Sequence, residues 1–293
     1  MKSFKNSLRP IAYIIGKIIT SNQQMFDIYR HTDFRGKLFL SEYINTVFQN
    51  GIYSCNELKY NIDFSDQIQK SVYLGTYERH ELTFLKKYIK PGWVCLDVGA
   101  NIGFYTLNLS KLVGSEGKVY AIEPSPSNYK KLEENIAINN LDNCITSNIA
   151  LSSESGEFVF SVSPHQNSGW GRLGKWTSAQ SEIIVNVNTL DDFVLFNNIS
   201  NIDFLKIDIE GHELKFLEGG KNTFKNGIVK RIMIEYCGYV LEPQGITLKS
   251  YVDSIMKFGY TPVHFNLDRI EKAKDGTYQD QKEILNLLFE KNI

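Results

Sequence analysis

The sequence has little that would tie it to a special environment. Only 4 of its 293 residues are cysteine, at Cys55, Cys95, Cys144 and Cys237, widely separated along the chain. No CxxC pair occurs and no cysteine stands at ligand spacing from a histidine, which argues against a zinc site. Isolated thiols suit a reducing compartment, and a cytoplasmic location is expected. Charge of either sign is not in excess either: 32 Lys and Arg against 33 Asp and Glu give a net −1. Composition therefore supplies no electrostatic reason to expect nucleic acid as a partner. Charged tails and low-complexity tracts are missing, and no apolar run approaches the roughly 18 residues of a transmembrane helix.

The start of the chain, "MKSFKNSLRPIAYIIGKIIT", has the basic and apolar order of a signal peptide. Lys17 interrupts the apolar run and no small-x-small cleavage site follows, so a secretion signal is not expected. Packing within the protein or against a partner is the leading reading, with peripheral membrane contact through an amphipathic helix as the alternative.

What is present is a globular composition, 42% hydrophobic, in a chain long enough for one large domain with an appendage. Residues 1–72 read as an N-terminal extension, partly helical, and 73–293 as the main domain. The segment "TYERHELTFLKKYIKPG" spaces Leu82, Leu85 and Ile89 for one face of a helix, with Thr76 as its expected cap. A strand, "WVCLDV", then a glycine turn and a helix follow. "KVYAIE" is a second strand, "SPSNYKKLEENIAINN" a helix capped by Ser125, and "CITSNIAL" a third strand. Two alternating stretches, "GEFVFSV" and "EIIVNVNTL", flank a loop and predict a β-hairpin insertion at about 155–188. Strand and helix alternate again through "IDFLKIDI", "EGHELKFLEGG", "KRIMIEY" and a helix capped by Thr247. "TPVHFNL" and "ILNLLFE" are expected as the closing strands.

Such alternation predicts an α/β fold with a mostly parallel sheet covered on both faces, and ligands at the carboxyl ends of its strands. Asp97, Glu123, Ala150, Asp208 and Glu235 each fall at the expected end of a successive strand, so they are predicted to share one rim.

The turn reads "DVGANIGF": Asp97, Gly99, Asn101, Gly103 and Phe104. A dinucleotide turn wants glycine at positions 101 and 104 as well as 99, and asparagine and phenylalanine stand there instead. An oxidoreductase using a nicotinamide cofactor is therefore the weaker alternative, and no GK[ST] marks a nucleoside triphosphate loop. An acid ahead of the first glycine suits a ligand with an ammonium group, and S-adenosylmethionine has one. Glu123, followed by Pro124, can accept hydrogen bonds from both ribose hydroxyls.

The stretches "DVGANIGFYTL", "AIEPSPSNYKKLEENIAIN", "NIALSSESGE", "NTLDDF" and "FLKIDIEGHELKFLEGG", in that order over about residues 73–240, resemble the FkbM family of S-adenosylmethionine-dependent methyltransferases. The resemblance implies a seven-stranded Rossmann-like domain and methyl transfer to a hydroxyl of a sugar, glycan or secondary metabolite. S-adenosylhomocysteine would be the product. A scaffold that keeps the fold without turnover is the other alternative. The cofactor residues expected are Asp97, Gly99, Asn101, Gly103, Glu123, Pro124, Ala150 and Asp208, with Glu78 covering the site.

An alcohol is a poor nucleophile at neutral pH, so a base or a metal must assist. Either Asp208 and Glu235 hold a divalent cation such as Mg2+, with Glu210 and Glu213 as alternative ligands, or a histidine, His212 or His165, acts as base. Asp208, Glu210, Glu235 and His212 are thus the catalytic candidates. The loop "HQNSGWGRLGKW" is a candidate substrate lid in which His165, Trp170 and Arg172 would meet the acceptor. A small molecule or glycan is the expected partner, and a homodimer is compatible with the sequence.

Overall fold

The computed structural model describes residues 14–15, 49–55, 57–163, 167–278 and 283–292. Most of the N-terminal segment read above, and His165, lie outside the described residues. By its internal contacts the chain divides into two units, 1–84 with 165–167, and 85–164 with 168–293.

In the first unit, β1 (Gly51–Cys55) and β2 (Leu58–Ile62) form an antiparallel hairpin, followed by helix α1 (Gln67–Tyr73). Asp66 caps α1 by accepting from the Gln69 N–H at 2.9 Å. Tyr53, Phe64 and Tyr73 meet edge to face, their ring centres 4.9–5.4 Å apart. Helix α2 (Arg79–Tyr88) begins later than expected. Thr76 is not its cap, because its hydroxyl turns back to the Ser71 carbonyl.

The second unit is built on a seven-stranded sheet. In chain order its strands are β3 (Val94–Val98), β4 (Lys118–Ile122), β5 (Cys144–Ser147), β10 (Phe204–Ile207), β11 (Arg231–Cys237), β12 (Tyr260–Val263) and β13 (Ile284–Lys291). Their spatial order is β12-β13-β11-β10-β3-β4-β5. All neighbouring pairs are parallel except those made by β13, which runs antiparallel between β11 and β12. The order reverses between β3 and β10, the place where a doubly wound sheet opens a crevice beyond its strand ends.

Central strands are mostly apolar because helices cover both faces, with Asp97, Lys206 and Glu235 the buried charged exceptions. The four residues of β10 are buried, and so are Leu285, Leu287, Leu288 and Phe289 of β13. The covering helices are α3 (Phe104–Val113), α4 (Pro126–Ile138), α5 (Leu190–Phe196), α6 (Glu213–Gly219), α7 (Lys221–Lys225), α8 (Gly238–Leu241), α9 (Leu248–Met256) and α10 (Leu267–Asp275). Thr247 caps α9 as expected, accepting from the Ser250 N–H, and Leu248, Tyr251, Val252 and Ile255 are its buried face. Pro126 opens α4, whereas the Ser125 hydroxyl meets the Ser127 hydroxyl rather than capping.

Two predicted strands differ. "CITSNIAL" is broken: β5 ends at Ser147, and Ala150–Leu151 form β6 in a second sheet. Ala150 therefore does not end a strand of the central sheet. "TPVHFNL" stops at Val263, because His264 and Asn266 take left-handed backbone and Asn266 opens α10. The second sheet has the order β6-β9-β7-β8. In it β7 (Gly156–Val162) and β9 (Ser181–Asn188) form a long antiparallel pair, and β8 (Arg172–Leu173) returns beside β7. No described helix is long and apolar enough to cross a membrane.

Candidate active site

The turn between β3 and α3 is fixed from both sides. The N–H groups of Gly99 and Ala100 donate to the Ile122 carbonyl at 3.0 and 2.9 Å, and the Asp208 N–H donates to the Val98 carbonyl at 3.0 Å. Gly99 has φ +85°, and a Cβ there would stand 1.9 Å from the Asp208 carbonyl oxygen. Its glycine is required by the chain leaving β10, so this one residue sets the approach of Asp208 to the turn. Gly103, φ +94°, has Leu107 and Leu132 where its Cβ would be and serves the packing of α3. Phe104 is buried and Asn101 uses its side chain within the turn, so neither position is open to a pyrophosphate.

Glu123, immediately after β4, has a main-chain N–H on each of its two oxygens, and the Asn128 side chain also bonds its carboxylate. The Asn101 N–H donates to Oε2 and the Ser125 N–H to Oε1, both at 2.8 Å. Burial pushes its carboxyl up to about 7, against these two donors. Asn148 Nδ2 donates to the carbonyls of Glu123 and Pro124 at 2.8 and 3.0 Å, which fixes the start of this loop. Ser168 links the far wall, its hydroxyl on Asn101 Oδ1 at 3.2 Å and its carbonyl receiving Asn128 Nδ2 at 3.1 Å.

These groups face a cleft of about 530 Å³ at the carboxyl ends of β3, β4 and β10. Gly99, Asn101, Glu123, Pro124, Ala150 and Asp208 line it, all expected at a cofactor. His212 and Arg172 line it too. Asp97 and Gly103 do not. Asp97 lies behind the turn, accepting the Thr106 hydroxyl at 2.6 Å, and burial pushes its carboxyl up to about 6. Trp170 is outside the lining, half exposed and edge-on to Trp176 at 6.4 Å. Glu78 belongs to the first unit.

A group of acids gathers where β10 and β11 end. Asp208 Oδ2 pairs with Lys206 Nζ at 3.4 Å, and that nitrogen also donates to Asn286 Oδ1 at 3.1 Å and stands 5.0 Å from the centre of the Tyr105 ring. Glu210 is pushed up to about 8 by burial and then by Asp208 and Glu213, with Arg172 and Lys206 opposing. Glu235, inside β11, is raised well above the carboxylate range by burial, then by Asp208 and Glu210. Glu213 is buried at the start of α6. Its Oε1 accepts from the Ile209 and Gly211 N–H groups at 3.2 and 3.1 Å, and burial raises it to about 7. His212 Nε2 meets the Ser152 hydroxyl at 2.7 Å, and burial followed by Lys215 pulls the ring down to about 4. It is a neutral imidazole at physiological pH.

Among the described residues, a group of three that could share an ion is Glu210, Glu235 and Cys237, their ligand atoms within 4.8 Å of one another; it holds Glu235 of the expected pair without Asp208. Asp208 is drawn to Lys206, two residues back on the same face of the chain.

Lys206 is what reading the sequence missed. It is 1% exposed, a lysine in the middle of the apolar strand "FLKI", and that placement was the available signal. Asn286 arrives from β13, some 80 residues on, and carried no signal at all.

Residues 97–262 match the family model described as the methyltransferase FkbM domain. A second model, the protein-L-isoaspartate (D-aspartate) O-methyltransferase, matches residues 23–159. The chain is 28% identical over 154 residues to the hexuronic acid methyltransferase AglP of Haloferax volcanii, a match covering 53% of this chain and 59% of that protein. It is 24% identical over 210 residues to the 2-O-methyltransferase NoeI of Sinorhizobium fredii, covering 67% and 83%. Among solved structures, the methyltransferase FkbM from Methylobacillus flagellatus KT aligns at a TM-score of 0.43 and 15% identity, covering 77% of this chain and 55% of that one.

Proposed function

Because the chain belongs to the FkbM family of methyltransferases, we propose that it is an S-adenosylmethionine-dependent O-methyltransferase acting on a hydroxyl of a sugar, glycan or related small molecule. The names of the two relatives support this substrate class: one acts on a hexuronic acid, the other is a 2-O-methyltransferase. The observation that carries the reading is the single cleft with Glu123 on one wall and Asp208 on the other.

The residues present fit the cofactor. Glu123 is a buried acceptor with fixed oxygens, each retaining lone pairs for a ribose hydroxyl, and Asn101, Pro124 and Ala150 form the walls beside it. When bound, S-adenosylmethionine supplies an electrophilic methyl group on a sulfonium. The rest falls to the protein: aligning the acceptor oxygen, excluding water and taking a proton.

Asp208 is the carboxylate that both lines the cleft and is partly exposed, at 23% of its side chain. It accepts the acceptor's O–H and takes its proton as the oxygen bonds to carbon. Lys206 holds it by Oδ2. Burial raises both Glu210 and Glu235, and the neighbouring acids raise them further, which eases the crowding of negative charge around the one ion pair. His212, pulled down to about 4, is too weak a base to compete and orients through Ser152. A divalent ion is the second arrangement, favoured only by the grouping of Glu210, Glu235 and Cys237. Free thiols at all four cysteines accord with a cytoplasmic enzyme.

Titration calorimetry with S-adenosylhomocysteine tests the reading. Binding at micromolar strength or better is expected, and no heat or thermal shift at millimolar ligand sinks it. Asp208→Asn should lower methyl transfer by roughly 10²–10⁴-fold while leaving S-adenosylhomocysteine affinity within about twofold. Transfer that collapses in EDTA and returns with a divalent ion would replace the base by the metal.

A further inference from the structure

Arg172 is the charged group of the cleft that the chemistry above does not use. It sits in β8, opposite Ser161 of β7, and its guanidinium carbon stands 4.4 Å from the centre of the Trp176 ring. The ring fixes the plane of the guanidinium, as a shelf does for a flat cation. Its Nε is buried and has no hydrogen-bond partner among the described residues. A charged donor left in that state is costly, and structures seldom leave one without a purpose. Among the described residues Arg172 makes no salt bridge, so this side of the cleft offers a cation with a buried, unmet donor.

We infer that Arg172, held flat on Trp176, is the anion-recognising residue of the acceptor subsite, and that the molecule methylated carries a carboxylate beside its reacting hydroxyl, as an acidic sugar does. The inference rests on the methyltransferase reading. Arg172 is the one Lys or Arg in the cleft lining among the described residues, and a single guanidinium matches a monoanion better than a phosphate dianion, which calls for several donors. The cofactor also has a carboxylate, so the same chemistry has two sources. The acceptor is favoured because Arg172 comes from β8 of the second sheet, apart from the β3 and β4 ends that carry Glu123 and its main-chain donors.

The test uses the full chain saturated with S-adenosylhomocysteine, titrated with methyl β-glucuronoside and, separately, methyl β-glucoside. The glucuronoside should bind roughly tenfold or more tightly than the glucoside. Arg172→Gln should bring the ratio near one with S-adenosylhomocysteine affinity unchanged within about twofold. Arg172→Lys, which keeps the charge but not the planar fork, should fall between, and it serves if the glutamine variant does not fold. A wild-type chain that prefers neither sugar, binding both or none, overturns the inference, as does a preference that survives Arg172→Gln. A tenfold loss of S-adenosylhomocysteine affinity in both folded variants assigns the arginine to the cofactor instead. Failure of the wild-type chain to bind S-adenosylhomocysteine is a separate result and overturns the methyltransferase reading itself.

Discussion

The two walls of the cleft hold their carboxylates in opposite ways. On the wall proposed for the cofactor each oxygen of Glu123 receives one main-chain N–H, from Ser125 two residues on and from Asn101 22 residues back. On the side proposed for the acceptor Asp208 lines the cleft, and Glu210 and Glu235 gather near it around one buried cation, Lys206. The first arrangement needs only the ends of two paired strands, β3 and β4. The second needs β10, β11 and β13 to meet. A rigid acceptor of hydrogen bonds comes from the first, and a crowded group of acids from the second.

The largest expected effect breaks both walls at once. Gly99→Ala adds a Cβ 1.9 Å from the Asp208 carbonyl oxygen at a backbone angle of φ +85°. It should destabilise the fold by roughly 3 kcal/mol or more in denaturant unfolding and weaken S-adenosylhomocysteine binding together with transfer. A stability within about 0.5 kcal/mol of wild type would show that the two strand ends are not locked at this residue.

Lys206→Met should separate the walls. It removes the partner of Asp208, which is partly exposed, so a cost of roughly 2 kcal/mol is expected rather than that of a fully buried pair. S-adenosylhomocysteine affinity should stay within about threefold, while transfer falls roughly tenfold or more because Asp208 loses the cation that holds its carboxylate in place. Transfer at the wild-type rate would mean that Lys206 only packs.

The smallest effect is read in the pH dependence of stability. Glu210 ordinarily titrates near 4.5 and stands at about 8 in the fold. Below the lower value both states are protonated and its contribution is fully present. Between them the unfolded chain releases a proton that the folded one keeps, so stability falls as pH rises and the loss is complete above about 8. Glu210→Gln should therefore flatten the decline in melting temperature between pH 5 and 8. His212 acts in the opposite sense, its fold disfavouring the proton that the unfolded chain takes up as pH falls from 6.5 to about 4. A slope identical in wild type and Glu210→Gln would remove Glu210 from the coupled group.

Much of the cofactor wall was legible in the sequence because its parts are neighbours. "DVGANIGF" and "AIEP" each hold a strand end, a turn and a carboxylate within a few residues, and Asn101, Glu123, Pro124 and Asp208 stand in the cleft as read. Asp97 shows the limit of that reasoning. It is an acid ahead of the first glycine, yet the Thr106 hydroxyl one helical turn into α3 takes its oxygen. The acceptor wall was legible only as residue types. "KIDIEGHE" announced acids, but nothing in it said which carboxylate would pair with which cation.

The sequence by itself determined the alternation of strands and helices and the end of the sheet at which the cleft opens. These follow from periodicity, turn residues and spacing, which act over a few residues. Only the tertiary structure decided that Ala150 belongs to a second sheet and that Asp208 pairs with Lys206 rather than Glu235. The same holds for the unmet donor that Arg172 carries on Trp176. Each of those depends on burial and on side chains brought from distant segments, and an acid's protonation or a cation's partner is set by the neighbours it is buried with.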